Sequence, residues 1–276
     1  FCLMGSMVKY ASDINASVIT LFRFVIGFAM LGSAAILGIL KLDFRNKWLL
    51  ILRGLSGSIP VYIFYFSITK LGIAKASVLF YSYPIFATIF SMIFLKEKVS
   101  SLTLAAILTT FVGIYLLVTD SAAELILGAT FGKYEILALL GTLLSGVAIV
   151  SVKKLHDTDS SYAIYFSQCT VGLWLFIIPA NTAHLNIGYT GAFLLLCIGI
   201  LGAAAQLLMT EGYKHISVST GSSLMMLVPV LNCAIGLIVF NESTSLRSFV
   251  GSMIVISSCV VVLLKYRCEN NRGLKR

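Results

Sequence analysis

Residues 52–97 read LRGLSGSIPVYIFYFSITKLGIAKASVLFYSYPIFATIFSMIFLKE. Two apolar runs, 48–69 and 74–95, are separated here by a hydrophilic island at Lys70–Lys75. Each run has the ~20 residues that a helix needs to cross a bilayer core. Gly54 and Gly57 lie one turn apart on the first run, Pro84 interrupts the second, and Lys96 and Glu97 close the segment. Residues 197–242, CIGILGAAAQLLMTEGYKHISVSTGSSLMMLVPVLNCAIGLIVFNE, follow the same plan, with Gly199, Gly202, Pro229 and Glu242 in the corresponding places.

A single ungapped offset of 145 residues carries this correspondence outward, pairing Ser6 with Ser151, Gly27 with Gly172, Ser77 with Ser222 and Ser100 with Ser245. Apolar spans recur near 18–40, 48–69, 74–95, 101–119, 135–153, 161–180, 190–210, 217–240 and 246–264, with a shorter run at 1–8. The sixth helix starts about ten residues before the position that matches Phe1, so the first helix is expected to be truncated here. The expected architecture is an all-α polytopic membrane protein of ten helices. A first repeat covers 1–120, a second covers 134–265, and a basic tail follows at 266–276. Five helices per repeat is an odd number, so the second repeat enters the membrane from the other side; inverted repeats of this kind are a transporter signature.

Composition agrees. Hydrophobic residues make up 59% of the chain and charged ones 11%, against about 25% charged in soluble domains. The net charge of +9 comes from short loops rather than a basic stripe, so nucleic acid is not an expected partner. Sorting Lys and Arg by loop places fourteen on the side shared by both termini, including Lys41, Arg45, Lys47 and Arg53. Five fall on the other side, and Arg23 is left inside a span. The positive-inside rule then puts both ends in the cytoplasm, with a bacterial-type inner membrane as the expected location.

The six cysteines show no CxxC spacing and read as small buried hydrophobes, while His156, His184 and His215 lack the spacing of a metal site. No cofactor is expected. An enzyme is disfavoured because HExxH, a GxSxG triad and a P-loop are all missing from the sequence. A channel is disfavoured because nothing resembles a filter loop or a charged ring. The expected partners are a small-molecule substrate and the lipid bilayer, with the protein a monomer or weak homodimer.

The segments 52–97 and 197–242 resemble the drug/metabolite transporter superfamily, specifically its ten-helix EamA-type members. Each follows that pattern of a glycine-bearing helix, a small-residue turn, a helix with a central proline and a closing acidic residue. The resemblance covers essentially the whole chain, with Asn241 departing from the basic residue that precedes Glu in the first half. It implies an alternating-access transporter. The reading carried forward is an exporter of amino acids or related metabolites; a nucleotide-sugar or organic-cation and drug transporter of the same fold is the alternative.

Candidate substrate-site residues are polar and aromatic groups inside spans, where burial is penalised unless partners or a watery cavity receive them. In the first half these are Tyr62, Tyr65, Ser77 and Tyr81, and in the second Gln168, Trp174, Gln206, Ser222, Met225 and Asn232. Together they suggest an aromatic and neutral-polar pocket; each also has a reading as an interfacial aromatic or an interhelical hydrogen-bonding group. Arg23 joins them as an intramembrane charge that could hold a carboxylate or phosphate, or could bond carbonyls of neighbouring helices. Pro84 and Pro229 read as symmetry-related hinges in mid-helix, or as packing adjustments. Gly54, Gly57, Gly199 and Gly202 read as close-packing faces that could slide during a conformational change. No Asp or Glu lies in mid-span, so the acidic proton carrier of the similar small multidrug antiporters has no counterpart, and a facilitator or exchanger is compatible.

Overall fold

A computed structural model describes residues 1–11, 13–118, 132–182, 187–240 and 246–273. These form helices and, among the described residues, no strand. The helices are α1 (Cys2–Tyr10), α2 (Ala16–Ile36), α3 (Lys47–Phe80), α4 (Tyr83–Phe94), α5 (Ser101–Val118), α6 (Lys133–Leu155), α7 (Ser161–Asn181), α8 (Tyr189–His215), α9 (Val218–Met225), α10 (Val228–Phe240) and α11 (Leu246–Gly273).

Helix ends recur at the offset found in the sequence. α2 and α7 both start and end 145 residues apart, and the ends of α3 and α9 and the starts of α4 and α10 keep the same spacing. Side-chain caps explain the first pair. Asn15 Oδ1 accepts from the Ser17 amide at 2.9 Å before α2, and Ser160 Oγ accepts from the Ala163 amide at 3.2 Å before α7. Each satisfies an amide that the first helical turn leaves open.

Three expectations need correction. The island Lys70–Lys75 is not a break, since α3 runs through it. In the second half Ser217 caps α9 by accepting from the Thr220 amide, whereas its counterpart Gly72 has no side chain to cap a new helix. Secondly, Pro84 and Pro229 do not sit in mid-helix. The helices end at Phe80 and Met225 and restart at Tyr83 and Val228, so each proline occupies the first turn of a new helix. Its missing N–H would have been unpaired there in any case. The Leu79 carbonyl, released at the first break, accepts from Ser82 Oγ at 2.6 Å and from Thr142 Oγ1 at 3.1 Å. Neighbouring hydroxyls thus do what water cannot do in lipid. Thirdly, Arg53 belongs to no loop; it is 1% exposed on α3.

The chain divides into two compact units that cut across the sequence halves. Unit 1, residues 1–66 and 147–215, holds α1, α2, α7, α8 and parts of α3 and α6. α2 packs on both α7 and α8, and α1 on α8. The core of this unit gathers Phe24, Leu31, Tyr165, Cys169, Phe176 and Ala203. Close approach depends on glycines: a Cβ on Gly172 would run into the Phe24 ring, and one on Gly199 into Ile26.

Unit 2, residues 67–146 and 216–276, contains both helix breaks. α5 pairs with α11, where a Cβ on Gly113 would lie 2.9 Å from the Gly251 carbonyl oxygen, and α9 packs on α4, α5 and α11. The core comprises Ile107, Ile114, Met226, Val230, Val255 and Cys259, with Tyr81, Ile85, Phe111 and Leu227 against it.

Among the described residues, six helical segments are long and apolar enough to cross a membrane: Ala16–Ile36, Lys47–Ser67, Lys133–Leu155, Ser161–Asn181, Tyr189–His215 and Phe249–Tyr266. Large side chains such as Ile36, Leu208 and Ile238 project outward, as lipid contact requires. Trp48 and Tyr189, near helix starts, are exposed like the aromatics that anchor helices at headgroup level.

Candidate functional site

A helix interior in lipid has no water to satisfy polar atoms, so every buried polar side chain must be accounted for. In unit 1 this leads to two arginines. Arg23 on α2 is 4% exposed and Arg53 on α3 is 1% exposed. Arg53 Nη2 donates to Gln168 Oε1 at 2.8 Å, and Arg23 Nη2 donates to Gln206 Oε1 at 3.2 Å. Gln168 is held in that orientation from its other end, with Nε2 donating to the Gly57 carbonyl at 3.0 Å. Ser58 Oγ donates to the Gln168 backbone carbonyl at 3.0 Å, which ties α3 to α7.

Glycine makes room for these charges. Gly57, one turn after Arg53, has no Cβ where the Arg53 Nη1 group lies, and a Cβ on Gly202 would come within 3.1 Å of Arg23 Nε. The four expected glycines therefore have different roles. Gly57 and Gly202 accommodate guanidinium groups, Gly54 packs against Val171, and Gly199 packs against Ile26.

A guanidinium has five N–H donors. Among the described residues, Arg23 Nε, Arg53 Nε and Arg53 Nη1 find no acceptor, while the buried Tyr165 hydroxyl meets the Cys169 thiol. Tyr165 lies within electrostatic reach of both arginines. No carboxylate of unit 1 serves them. Asp13 and Asp43 are exposed, Asp159 accepts from the Arg45 and Asn46 amides, Glu211 engages Ser161 and Lys214, and Asp157 pairs with Lys154.

The expected residues fall into two groups. In unit 1, Arg23, Gln168 and Gln206 form the polar cluster. The Tyr62 ring lies tilted against Phe176, 5.2 Å between centroids, in the adjoining aromatic core, and Tyr65 is buried with its hydroxyl unpartnered among the described residues. Trp174 does not join them. It is 79% exposed on the outer face of α7, because its position on the helix points away from α2 and α8. In unit 2, Tyr81 packs at the first helix break, Ser222 is buried on α9, and Met225 is half-buried where α9 ends. Asn232 is exposed on α10 rather than buried. The side chain of Ser77, and all of Glu242, lie outside the described residues. Glu97, expected at a helix end, accepts from the Val218 amide at 3.0 Å and so caps α9.

Sequence reasoning missed Arg53 by assigning it to a loop. The available signal was a basic residue inside a span with glycine four places later, which leaves a helical face open for a large head group.

The profile of the EamA-like transporter family matches the chain twice, over residues 2–119 and 132–264. Among curated proteins, the pseudopaline exporter CntI of Pseudomonas aeruginosa strain UCBPP-PA14 is 22% identical over 95% of this chain and 91% of its own length. The human solute carrier family 35 member G1 is 25% identical over 93% of this chain and 74% of its own. A solved crystal structure shares the fold, with a TM-score of 0.76 at 18% identity over 97% of this chain and 96% of that one. Apolar helices long enough to span a bilayer and two matches to one transporter family together make this a multi-pass membrane protein that belongs to the EamA-like transporter family.

Proposed function

We propose that this chain is an alternating-access transporter of small metabolites, with ten spans arranged as two inverted five-helix repeats. In this reading it exports amino acids or related metabolites across an inner membrane and keeps both termini in the cytoplasm. The observation that carries it is the pair of helix breaks. α3/α4 and α9/α10 are interrupted 145 residues apart, each with a proline in the first turn that follows. Discontinuous helices in corresponding positions of two repeats mark the sites of secondary transporters, because interrupted backbone can serve a substrate and flex between states. The two separate family matches support the repeat, and an exporter among the relatives supports outward transport.

Buried guanidinium groups weigh against organic cations as substrates, since like charge in a low-dielectric interior is repelled. Solute counterflow in proteoliposomes with labelled amino acids tests the proposal. Saturable exchange that Pro84→Ala and Pro229→Ala slow, in protein that remains folded, supports it. Absence of exchange with any amino acid removes that substrate class.

A further inference from the structure

Resting on the transporter reading above, we infer that Arg23 and Arg53 form a binding site for the oxyanion group of a small organic anion. The argument starts from charge. Two guanidinium groups are buried in unit 1, and each receives one neutral amide oxygen. Every acidic residue of that unit is exposed or engaged elsewhere. A buried charge without a counter-ion is costly, and intramembrane charges persist where a substrate needs them.

Geometry narrows the ligand. Gln168 and Gln206 each engage one Nη2, and Gln168 is itself anchored to Gly57, so the glutamines position the guanidiniums without neutralising them. Among the described residues, three guanidinium nitrogens remain as donors without acceptors. An acceptor-only group with several lone pairs, a carboxylate or a phosphate, matches that set, because guanidinium forks pair with such oxyanions through parallel hydrogen bonds. An organic cation or an uncharged sugar does not.

The test uses the purified full chain in detergent, at constant ionic strength and chloride. The probes are succinate, L-leucine and glycerol 3-phosphate, each compared with its uncharged or amidated counterpart: succinamide, L-leucinamide and glycerol. The expected result is that at least one charged probe raises the unfolding temperature while its counterpart does not, since a ligand bound only to the native state stabilises it. Which charged probe acts separates carboxylate from phosphate.

Arg53→Gln and Arg23→Gln should weaken that probe at least tenfold, and Arg53→Lys should weaken it less because the charge is kept. Gln168→Glu sets an internal carboxylate against Arg53, so it should also weaken the probe at least tenfold while the protein's own unfolding temperature holds or rises. This variant carries the test if Arg53→Gln does not fold. A purely structural role for the arginines moves the unfolding temperature but not the preference for charged probes. Equal stabilisation by each oxyanion probe and its counterpart, or none by any oxyanion probe, overturns the inference.

Counterflow with the same probes separates the two readings. Exchange that ignores the charge of the solute and the arginine variants leaves transport standing and removes the anion site. Charge-selective stabilisation without exchange of any solute does the reverse.

Discussion

The Arg53 guanidinium and the Gln168 side-chain oxygen meet at 2.8 Å, joining α3 of the first sequence half to α7 of the second. Gln168 also donates to the Gly57 carbonyl, so one amide satisfies a charge and a backbone group together. Replacing it by Leu leaves both without that partner. Hydrogen bonds to charged groups contribute about 1.5–3 kcal/mol, so Gln168→Leu should destabilise the protein by an amount in that range. Thermal unfolding in detergent checks this; an unchanged transition would mean that the guanidinium finds another acceptor.

Gly57 offers a steric test. A Cβ there would overlap Arg53 Nη1 and lie 3.0 Å from Gln168 Nε2, whereas a Cβ on Gly212 meets nothing within 4 Å. Overpacking typically costs ~1–3 kcal/mol, while Gly to Ala at an open helical site gains up to about 1 kcal/mol. Gly57→Ala should therefore lower the unfolding temperature and displace the Arg53 head group. Gly212→Ala should hold or raise it, and equal effects at the two positions would refute the packing assignment.

At the first helix break two hydroxyls and the Ser82 amide converge on one carbonyl. Ser82 Oγ and Thr142 Oγ1 both donate to Leu79 O. Ser82→Ala and Thr142→Val should each cost roughly 1 kcal/mol. The double variant should cost more than the sum, because losing both strips the carbonyl of its side-chain donors. A double-mutant cycle on chemical unfolding measures the coupling, and strict additivity would show that the hydroxyls act independently.

His156, just beyond α6, titrates differently from a free histidine. Burial pushes its pKa down, and the opposing influences of the Thr210 carbonyl and Glu211 do not overcome this, while Lys153 and Lys214 add to the lowering. Its Nε2–H donates to the Thr210 carbonyl at 2.8 Å, which fixes the neutral tautomer. Below the unfolded pKa of about 6.5 the unfolded chain takes up this proton more readily than the native one. The stability contributed by neutral His156 is thus complete above pH ~6.5 and is lost as the pH falls below it. His156→Gln should flatten the pH dependence of the unfolding temperature across that window, and an unchanged profile would show that another group sets it.

Trp174 serves as the negative control among the expected site residues. Its ring lies on the exposed face of α7, so Trp174→Leu should leave counterflow unchanged while preserving lipid contact. A large loss of transport would return it to the substrate path.

The fold class was legible because lipid imposes a coarse rule. Spans must be apolar for about twenty residues, and glycines, prolines and caps recur in this chain at a constant offset. Asn15 and Ser160, or Pro84 and Pro229, could be paired by counting alone, and the corresponding helix boundaries follow from such local chemistry. Arg23, Gln168 and Gln206 were equally visible as polar groups in apolar runs.

What sequence could not supply was direction and neighbourhood. Hydropathy averages over a helix turn, so it cannot tell that Trp174 and Asn232 face outward while Arg53 faces inward. Nor does a repeating pattern reveal which helices pack together: α2 of the first half lies on α7 and α8 of the second, so the compact units cut across the sequence halves. The sequence by itself determined the all-helical membrane class and the polar residues available, because these depend on local chemistry and length. Only the tertiary structure decided that two arginines share one unit without a carboxylate to neutralise them, because that depends on which side chains three-dimensional packing brings within hydrogen-bonding distance.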